Sequence, residues 1–292
     1  MSYPTPSWPD ESQGGPMVLP ETAVDPADRQ HVRPRRLLLP LLLFGATCLS
    51  TLAVGGPIYA AAIMFILLSH ELGHYVQARR YHVPASLPYF IPFPLSPLGT
   101  MGAVIGMSGQ MPNRRVLFDV GISGPLAGLV PALACSVVGL YWSDLRAVPP
   151  GVQGMLGDPL LFQWIVKWFF GPIPPGHDVI LHSLAYAGWV GVLITSVNLF
   201  PIGQLDGGHV LYAILREKAH LVATFLLLAA LAAVIYTRTP QWSLMLVLLL
   251  LMGPNHAPTA NDDEPLTRGR VILGWLTLAF LLIGFTPRPF NM

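Results

Sequence analysis

Charged residues are scarce in this chain of 292 residues. Asp, Glu, Lys and Arg make up 11% of it, apolar residues make up 53%, and the mean hydropathy is +0.56. A soluble domain carries about 25% charged residues, so this chain has too few to cover a soluble surface. Its 16 basic and 15 acidic residues nearly cancel, which argues against a nucleic-acid partner. The composition predicts an integral membrane protein in contact with the lipid bilayer.

Cysteine is also rare. Cys48 and Cys135 are the two cysteines of the chain, and each lies in an apolar run. This number excludes a disulfide scaffold, and the setting is typical of small residues packed in a core.

Two regions of the chain depart from the apolar pattern. Residues 1–34 are rich in Pro, Asp, Glu, Ser and Gln without apolar periodicity, which predicts a disordered cytoplasmic tail. Residues 83–112 contain six prolines, which disfavour a helix. Within this region, the sequence of residues 99–105 predicts a short strand in a small membrane-associated β-hairpin.

The apolar segments in the rest of residues 35–292 predict one polytopic α-helical membrane domain, with about six or seven transmembrane helices and one broken helix. The apolar segments are 37–56, 57–77, 116–142, 179–200, 221–236, 242–252 and 271–285. Residues 143–176 are interpreted as a loop with an interfacial helix at 162–170. No internal repeat is evident.

Basic residues orient these segments. With the tail in the cytoplasm, 12 basic residues fall on the cytoplasmic side and 4 on the other side, as the positive-inside rule requires. Four arginines at segment ends are expected to anchor lipid headgroups: Arg79, Arg80, Arg114 and Arg115.

Three acidic residues lie in or near apolar segments: Glu71, Asp119 and Asp206. An ionisable group at membrane depth costs several kcal/mol or more, about 3 on insertion scales, so each is a candidate functional residue.

Glu71 lies in the pattern His70-Glu71-Leu72-Gly73-His74. The spacing of four residues places both imidazoles on one helix face, as two ligands of one tetrahedral zinc require. Glu71 is rotated away from this face by about 100°, where a carboxylate can reach a water without displacing it.

A catalytic zinc takes a third protein ligand, and two carboxylates are candidates. Asp119 follows Arg114 and Arg115 by about one turn, which favours a helix-start carboxylate near positive charge. Asp206 lies where Pro201, Gly203, Gly207 and Gly208 break a helix. It could ligate the metal from such a break, or act as an ordinary N-cap. The predicted topology places Asp206 at the depth of His70 and His74.

Taken together, three motifs resemble the site-2 protease family of intramembrane zinc metalloproteases, peptidase family M50. They are the His70–His74 pattern, Asn198-Leu-Phe-Pro201 and Leu205-Asp-Gly-Gly208. The segments 99–105, 121–128 and 203–209 are most similar to the subgroup of the chloroplast EGY proteases. We expect neither the PDZ insertion of many bacterial members nor a C-terminal pair of CBS domains.

The resemblance implies a role for each matching residue. His70, His74 and Asp206 would bind one Zn²⁺, and Glu71 would be the general base that activates water. Asn198 would hold the substrate backbone or stabilise the developing oxyanion. An edge strand would accept the unwound substrate by β-augmentation; its residues are Gly99, Thr100, Met101, Gly102 and Ala103.

The expected function is therefore an intramembrane zinc endopeptidase that acts on a membrane-protein substrate. A zinc-binding scaffold or chaperone without proteolysis is one alternative, and a transporter is another. Because the acidic tail lacks transit-peptide composition, we expect a bacterial cytoplasmic membrane with the active site toward the cytoplasm. The sequence leaves the oligomeric state and the substrate open.

Overall fold

The computed structural model describes residues 35–107, 110–148 and 156–290, so the predicted tail at 1–34 lies outside the described residues. Helices dominate these ranges, together with two antiparallel sheets of two strands each. The helices are α1 (Arg35–Arg80), α2 (Arg114–Tyr141), α3 (Leu160–Phe170), α4 (Ser183–Asn198), α5 (Asp206–Leu215), α6 (Lys218–Thr237), α7 (Ser243–Met252), α8 (Arg268–Ala279) and α9 (Leu281–Gly284). The strands are β1 (Tyr89–Phe93), β2 (Gly99–Val104), β3 (Asp144–Ala147) and β4 (His177–Ile180).

Three described helices are long and apolar enough to cross a membrane: α1, α2 and α6. Helices α3, α4 and α7 are apolar but shorter. The structure therefore confirms a mainly helical chain with candidate membrane spans and small sheets, while the number of six or seven crossings stays a prediction.

Helix α1 is interrupted where the sequence predicted two segments to meet. Gly56 has φ 76° and ψ −177°, a conformation that glycine adopts readily and other residues avoid. Pro57 follows and supplies no backbone N–H. The second segment then continues to Arg80, three residues beyond the predicted end at Gln77.

The region 143–183 differs from its prediction. The expected interfacial helix is present as α3, but β3 and β4 pair with Asp144 opposite Ile180 and Ala147 opposite His177. The segment predicted to span from residue 179 therefore begins its helix only at Ser183, because the preceding residues pair as a strand. The last apolar segment is likewise divided into α8 and α9.

The predicted hairpin is formed by β1 and β2, with Tyr89 opposite Val104 and Phe93 opposite Gly99. The register shifts between Phe90 and Pro92, as a β-bulge requires. At the bulge Gly102 has φ 101°, and its N–H donates to Thr100 Oγ1 at 3.0 Å.

Helices α1, α2 and α4 pack together around the largest buried side chains, including Tyr59 and Trp189. Small residues bring α2 and α4 into close contact. A Cβ added at Gly139 would lie 2.0 Å from the backbone N of Ala185. This close approach by small residues is typical of membrane helix interfaces.

Asp119 is paired with a residue far from it in sequence. Its Oδ1 and Oδ2 accept from Arg270 Nε and Nη2, both at 2.8 Å, and Oδ2 also accepts from the Tyr81 hydroxyl. The bidentate pair joins α2 to α8 at the end of α1. Asp119 therefore lies near positive charge, as predicted, but the ion pair is formed by Arg270 and not by Arg114 or Arg115.

The prediction that Arg114 anchors a lipid headgroup is wrong, because this residue is buried. Its guanidinium donates to the carbonyl oxygens of Ala213 at 3.2 Å and Glu264 at 2.9 Å. The end of α5 and the loop after α7 supply these acceptors, which no local pattern around residue 114 could reveal. Arg79, Arg80 and Arg115 are exposed.

The Asp119–Arg270 pair yields a stability prediction. We expect Arg270→Met to lower the free energy of unfolding by about 3 kcal/mol, because it leaves a partly buried carboxylate unpaired. Denaturant unfolding in micelles measures the change. Arg146→Met is the matched control, since Arg146 pairs with Asp144 at 2.7 Å while both side chains are 64% exposed. That pair should contribute less than about 1 kcal/mol, and equal losses in the two variants would contradict the assignment.

Candidate metal centre and active site

The second segment of α1 holds the His-Glu-x-x-His pattern in the core of the fold. His70, Glu71 and His74 are 4%, 3% and 5% exposed. One turn of helix separates the two histidines, and their Nε2 atoms lie 3.2 Å apart. The expected juxtaposition of two imidazoles on one helix face is therefore present.

Asp206 reaches both histidines from the start of α5, directly after the break that separates α5 from α4. Its Oδ2 lies 3.0 Å from His70 Nε2, and its Oδ1 lies 3.2 Å from His74 Nε2. It is the first residue of α5, and the N-cap position belongs to Leu205. Asp206 thus points its carboxylate at the histidines, and the N-cap alternative does not apply.

The glycines after Asp206 allow this placement. A Cβ on Gly207 would lie 2.0 Å from the carbonyl oxygen of Leu199, and one on Gly208 would lie 2.3 Å from that of Gly203. Side chains at either position would force α5 away from the end of α4. The glycine pair therefore sets the approach of the carboxylate to the histidines.

The three side chains have the donor set and spacing of a zinc site. Among the described residues they are the one group of three or more metal-ligating side chains whose ligand atoms lie within 4.8 Å of one another. Zinc–ligand bonds of about 2.0–2.1 Å in a tetrahedron separate ligand atoms by about 3.3 Å, close to the 3.0–3.2 Å observed. His74 Nδ1 donates to the Val120 carbonyl at 2.8 Å, which leaves Nε2 unprotonated for a metal.

Glu71 and Asn198 border the same small cavity, of about 120 Å³, as His70, His74 and Asp206. Asn198 is the last residue of α4, and its Nδ2 lies 3.3 Å from His70 Nε2. The cavity therefore joins a metal-ligand set, a carboxylate and an amide donor, the groups that metal-assisted peptide hydrolysis needs.

Comparison with known proteins agrees with this site. The sequence pattern of Peptidase family M50 matches residues 58–235. The chain belongs to peptidase family M50. The matched range begins just after the break of α1, includes His70, His74 and Asp206, and ends in α6.

Several relatives of this chain carry the names of plant zinc metalloproteases of the EGY group. "Probable zinc metalloprotease EGY1, chloroplastic" of Oryza sativa subsp. japonica is 34% identical over 168 residues, 55% of this chain and 28% of the relative. "Probable zinc metalloprotease EGY2, chloroplastic" of Arabidopsis thaliana is 30% identical over 242 residues, 79% of this chain and 42% of the relative. The chain thus spans less than half of these relatives. The predicted M50 membership and EGY-like subgroup are confirmed.

The strand predicted to bind substrate borders the small cavity around His70, Glu71 and His74 with one of its ends. Of its five residues, Ala103 borders the cavity, followed by Val104 and Ile105. Gly99, at the other end, is already engaged: its N–H donates to Ser96, and its carbonyl accepts from Ser50 at 2.6 Å. The other three, Thr100, Met101 and Gly102, do not border the cavity.

A row of glycines on α2 supports the site from behind. A Cβ added at Gly121 would lie 2.9 Å from His209 Cβ, and one at Gly128 would lie 2.9 Å from His70 Cβ. Between them, a Cβ on Gly124 would lie 2.0 Å from His74 Nε2. Residues 121–128 share in the resemblance to the EGY subgroup, and these close contacts give the physical reason for their glycines.

This contact makes Gly124 a test of the metal centre. Gly124→Ala is expected to weaken zinc binding about 10- to 100-fold, because the new methyl group displaces the ligand atom of His74. Competition with a fluorescent zinc chelator measures the affinity. Gly45→Ala in α1 is the control, since a Cβ there meets nothing within 4 Å. Unchanged affinity in Gly124→Ala would contradict the placement of α2 against His74.

A larger cavity, of about 450 Å³, lies away from the histidines, between α3, β4 and the break in α1. Its lining is mainly apolar but includes Asp158 and Asp178. Desolvation in this cavity and, second, the nearby Asp178 carboxylate raise the pKa of Asp158 to about 6. None of the predicted site residues borders it.

Proposed function

We propose that this M50 chain is an intramembrane zinc endopeptidase that hydrolyses a peptide bond in or near a transmembrane helix of a membrane-protein substrate. The observation that carries the proposal is the convergence of His70, His74 and Asp206 beside Glu71 in one cavity. One Zn²⁺ per chain is the cofactor, in keeping with the names of the relatives.

Glu71 and Asn198 would divide the remaining chemistry. Zn²⁺ held by the three ligands supplies Lewis-acid activation of water and of the scissile carbonyl. Glu71 takes a proton from the attacking water as its oxygen bonds to the carbonyl carbon. It then passes the proton to the nitrogen of the breaking C–N bond. Asn198 Nδ2 donates a hydrogen bond to the substrate carbonyl oxygen as that oxygen gains negative charge.

The substrate would bind in an extended conformation. A transmembrane helix satisfies its own backbone hydrogen bonds, so it must unwind before a peptide bond becomes accessible. We propose that the strand from Gly99 to Ala103 accepts the unwound segment by β-augmentation. Its Ala103 end is the part that borders the cavity with Glu71.

The chain is proposed to be a multi-pass membrane protein with its active site toward the side that carries most basic residues. The predicted bacterial cytoplasmic membrane finds no support in the relatives, which are chloroplast proteins of plants. The proposal therefore names a membrane and leaves the organelle or cell envelope open.

A reconstitution experiment tests the proposal. The purified chain, loaded with zinc in micelles, is incubated with a panel of synthetic peptides of about 30 residues, each with one apolar helix broken by a Gly-Pro pair. We expect about one zinc per chain and cleavage that mass spectrometry maps in or next to the apolar segment. Bound zinc with no cleavage of any peptide would favour a zinc-binding scaffold. A folded chain without zinc affinity would return the transporter alternative to consideration.

A further inference from the structure

A pair of histidines extends from the active-site cavity toward the loop after α7. His209 lies on α5, three residues after Asp206, and borders the cavity. Its Nδ1 lies 2.6 Å from Nε2 of His256, a buried residue of that loop. His256 does not border the cavity. The resemblance implies no role for either residue.

The hydrogen bonds determine which ring nitrogens carry protons. His256 Nδ1 lies 2.6 Å from the carbonyl oxygen of Ala257, which can only accept, so Nδ1 carries the proton. Burial lowers the pKa of the His256 imidazole, and the neutral ring then has a lone pair on Nε2. His209 Nδ1 must donate to that lone pair, which leaves His209 Nε2 as an acceptor.

The remaining nitrogen of His209 is available to a ligand. Nε2 forms no hydrogen bond with the residues that the structure describes. It also remains accessible to solvent, because it is absent from the buried side-chain atoms that lack a partner among these residues. A Cβ added at Gly121 would lie 2.9 Å from His209 Cβ, so α2 packs closely against this part of α5. A lone pair is thus held in the cavity that contains the three ligand residues.

We propose that His209 Nε2 accepts a hydrogen bond from a main-chain N–H of the substrate, an inference that rests on the proposed function. A substrate segment that has left its helix has N–H groups without partners, and leaving them unsatisfied in a water-poor site costs free energy. An unprotonated imidazole nitrogen can satisfy one of them. His209 is thereby a further substrate-binding residue.

His256 is a positioning residue, because it acts through His209. Its ring stacks on Tyr212, with ring centroids 4.6 Å apart. Its backbone N–H donates to His220 Nε2 at 3.2 Å, which fixes the loop backbone at this residue. Tyr212 is held in turn by a hydrogen bond of 2.7 Å from its hydroxyl to Asp262. These contacts keep the His256 lone pair directed at His209 Nδ1.

Steady-state kinetics with the peptide that the unaltered chain cleaves fastest test this role. His209→Phe keeps a ring but removes the acceptor, so KM should rise about tenfold while kcat stays within about twofold and zinc content is unchanged. His256→Phe should raise KM in the same direction. His256→Gln, which offers an amide oxygen to His209, should restore most of the affinity. His177→Phe, at an exposed position of β4, is the matched control.

Nitrogen-15 NMR of histidine-labelled protein gives a readout that needs no substrate. We expect His209, assigned by its loss in His209→Phe, to be protonated on Nδ1 and unprotonated on Nε2 in the zinc-loaded chain. A proton on Nε2, a fall in kcat at unchanged KM, or loss of zinc in His209→Phe would each overturn the proposal. If the unaltered chain cleaves no peptide, the proposed function fails, and the NMR result still decides the state of His209.

Discussion

Replacing Glu71 with glutamine should abolish peptide hydrolysis while one zinc per chain stays bound. Glutamine has nearly the same shape as glutamate, but it cannot take a proton from water at neutral pH. General acid–base catalysis contributes about 10²- to 10⁴-fold, and Glu71 serves both proton transfers of the proposed reaction. We therefore expect the cleavage rate to fall about 10³-fold or more in the peptide assay, with zinc measured by atomic emission.

Glu217→Gln is the matched control, because Glu217 is an exposed glutamate just before α6. It should cleave at the rate of the unaltered chain. If Glu71→Gln retains more than about a tenth of the activity, Glu71 is not the general base. If it loses its zinc, Glu71 holds the metal or the fold, and the assignment of the three ligands must change.

The four-residue spacing of His70 and His74 predicted that these two side chains meet on one helix face. Because a helix repeats every 3.6 residues, His70 and His74 had to face the same way, and the structure places their Nε2 atoms 3.2 Å apart. Asp206 is 136 residues from His70, and spacing carries no information over that distance. The acidic residues in or near apolar segments left two candidates for the third metal ligand, Asp119 and Asp206. In the structure, Asp119 instead forms an ion pair with Arg270.

The features that sequence missed depend on contacts between distant segments. Strands β3 and β4 have four residues each, too few for alternation to give a signal. Their paired residues, from Asp144–Ile180 to Ala147–His177, are 36 to 30 positions apart in the sequence, so only the folded chain pairs them. The lone pair of His209 is likewise set by His256, 47 residues away. No local sequence pattern links His256 to His209, because their contact forms only in the folded chain.

Removing the carboxylate of Asp206 should nearly empty the metal centre. Three side chains share an apparent zinc-binding free energy of about 10–16 kcal/mol, so the loss of one ligand is expected to weaken binding about 10³-fold. Asp206→Ala should then fall from about one zinc per chain to a small fraction after dialysis against a weak chelator. His74→Ala should behave alike, because both residues contribute one ligand atom to the same group.

Asp263→Ala is the matched control for this loss, since the Asp263 side chain is 91% exposed and pairs only with exposed Arg216. It should keep its zinc. Denaturant unfolding of the zinc-free chains separates loss of a ligand from loss of the fold. A folded Asp206→Ala chain that retains full zinc would remove Asp206 from the ligand set. Asp119 would then have to leave the two hydrogen bonds that it accepts from Arg270, and Arg270→Met would raise zinc affinity instead of leaving it unchanged.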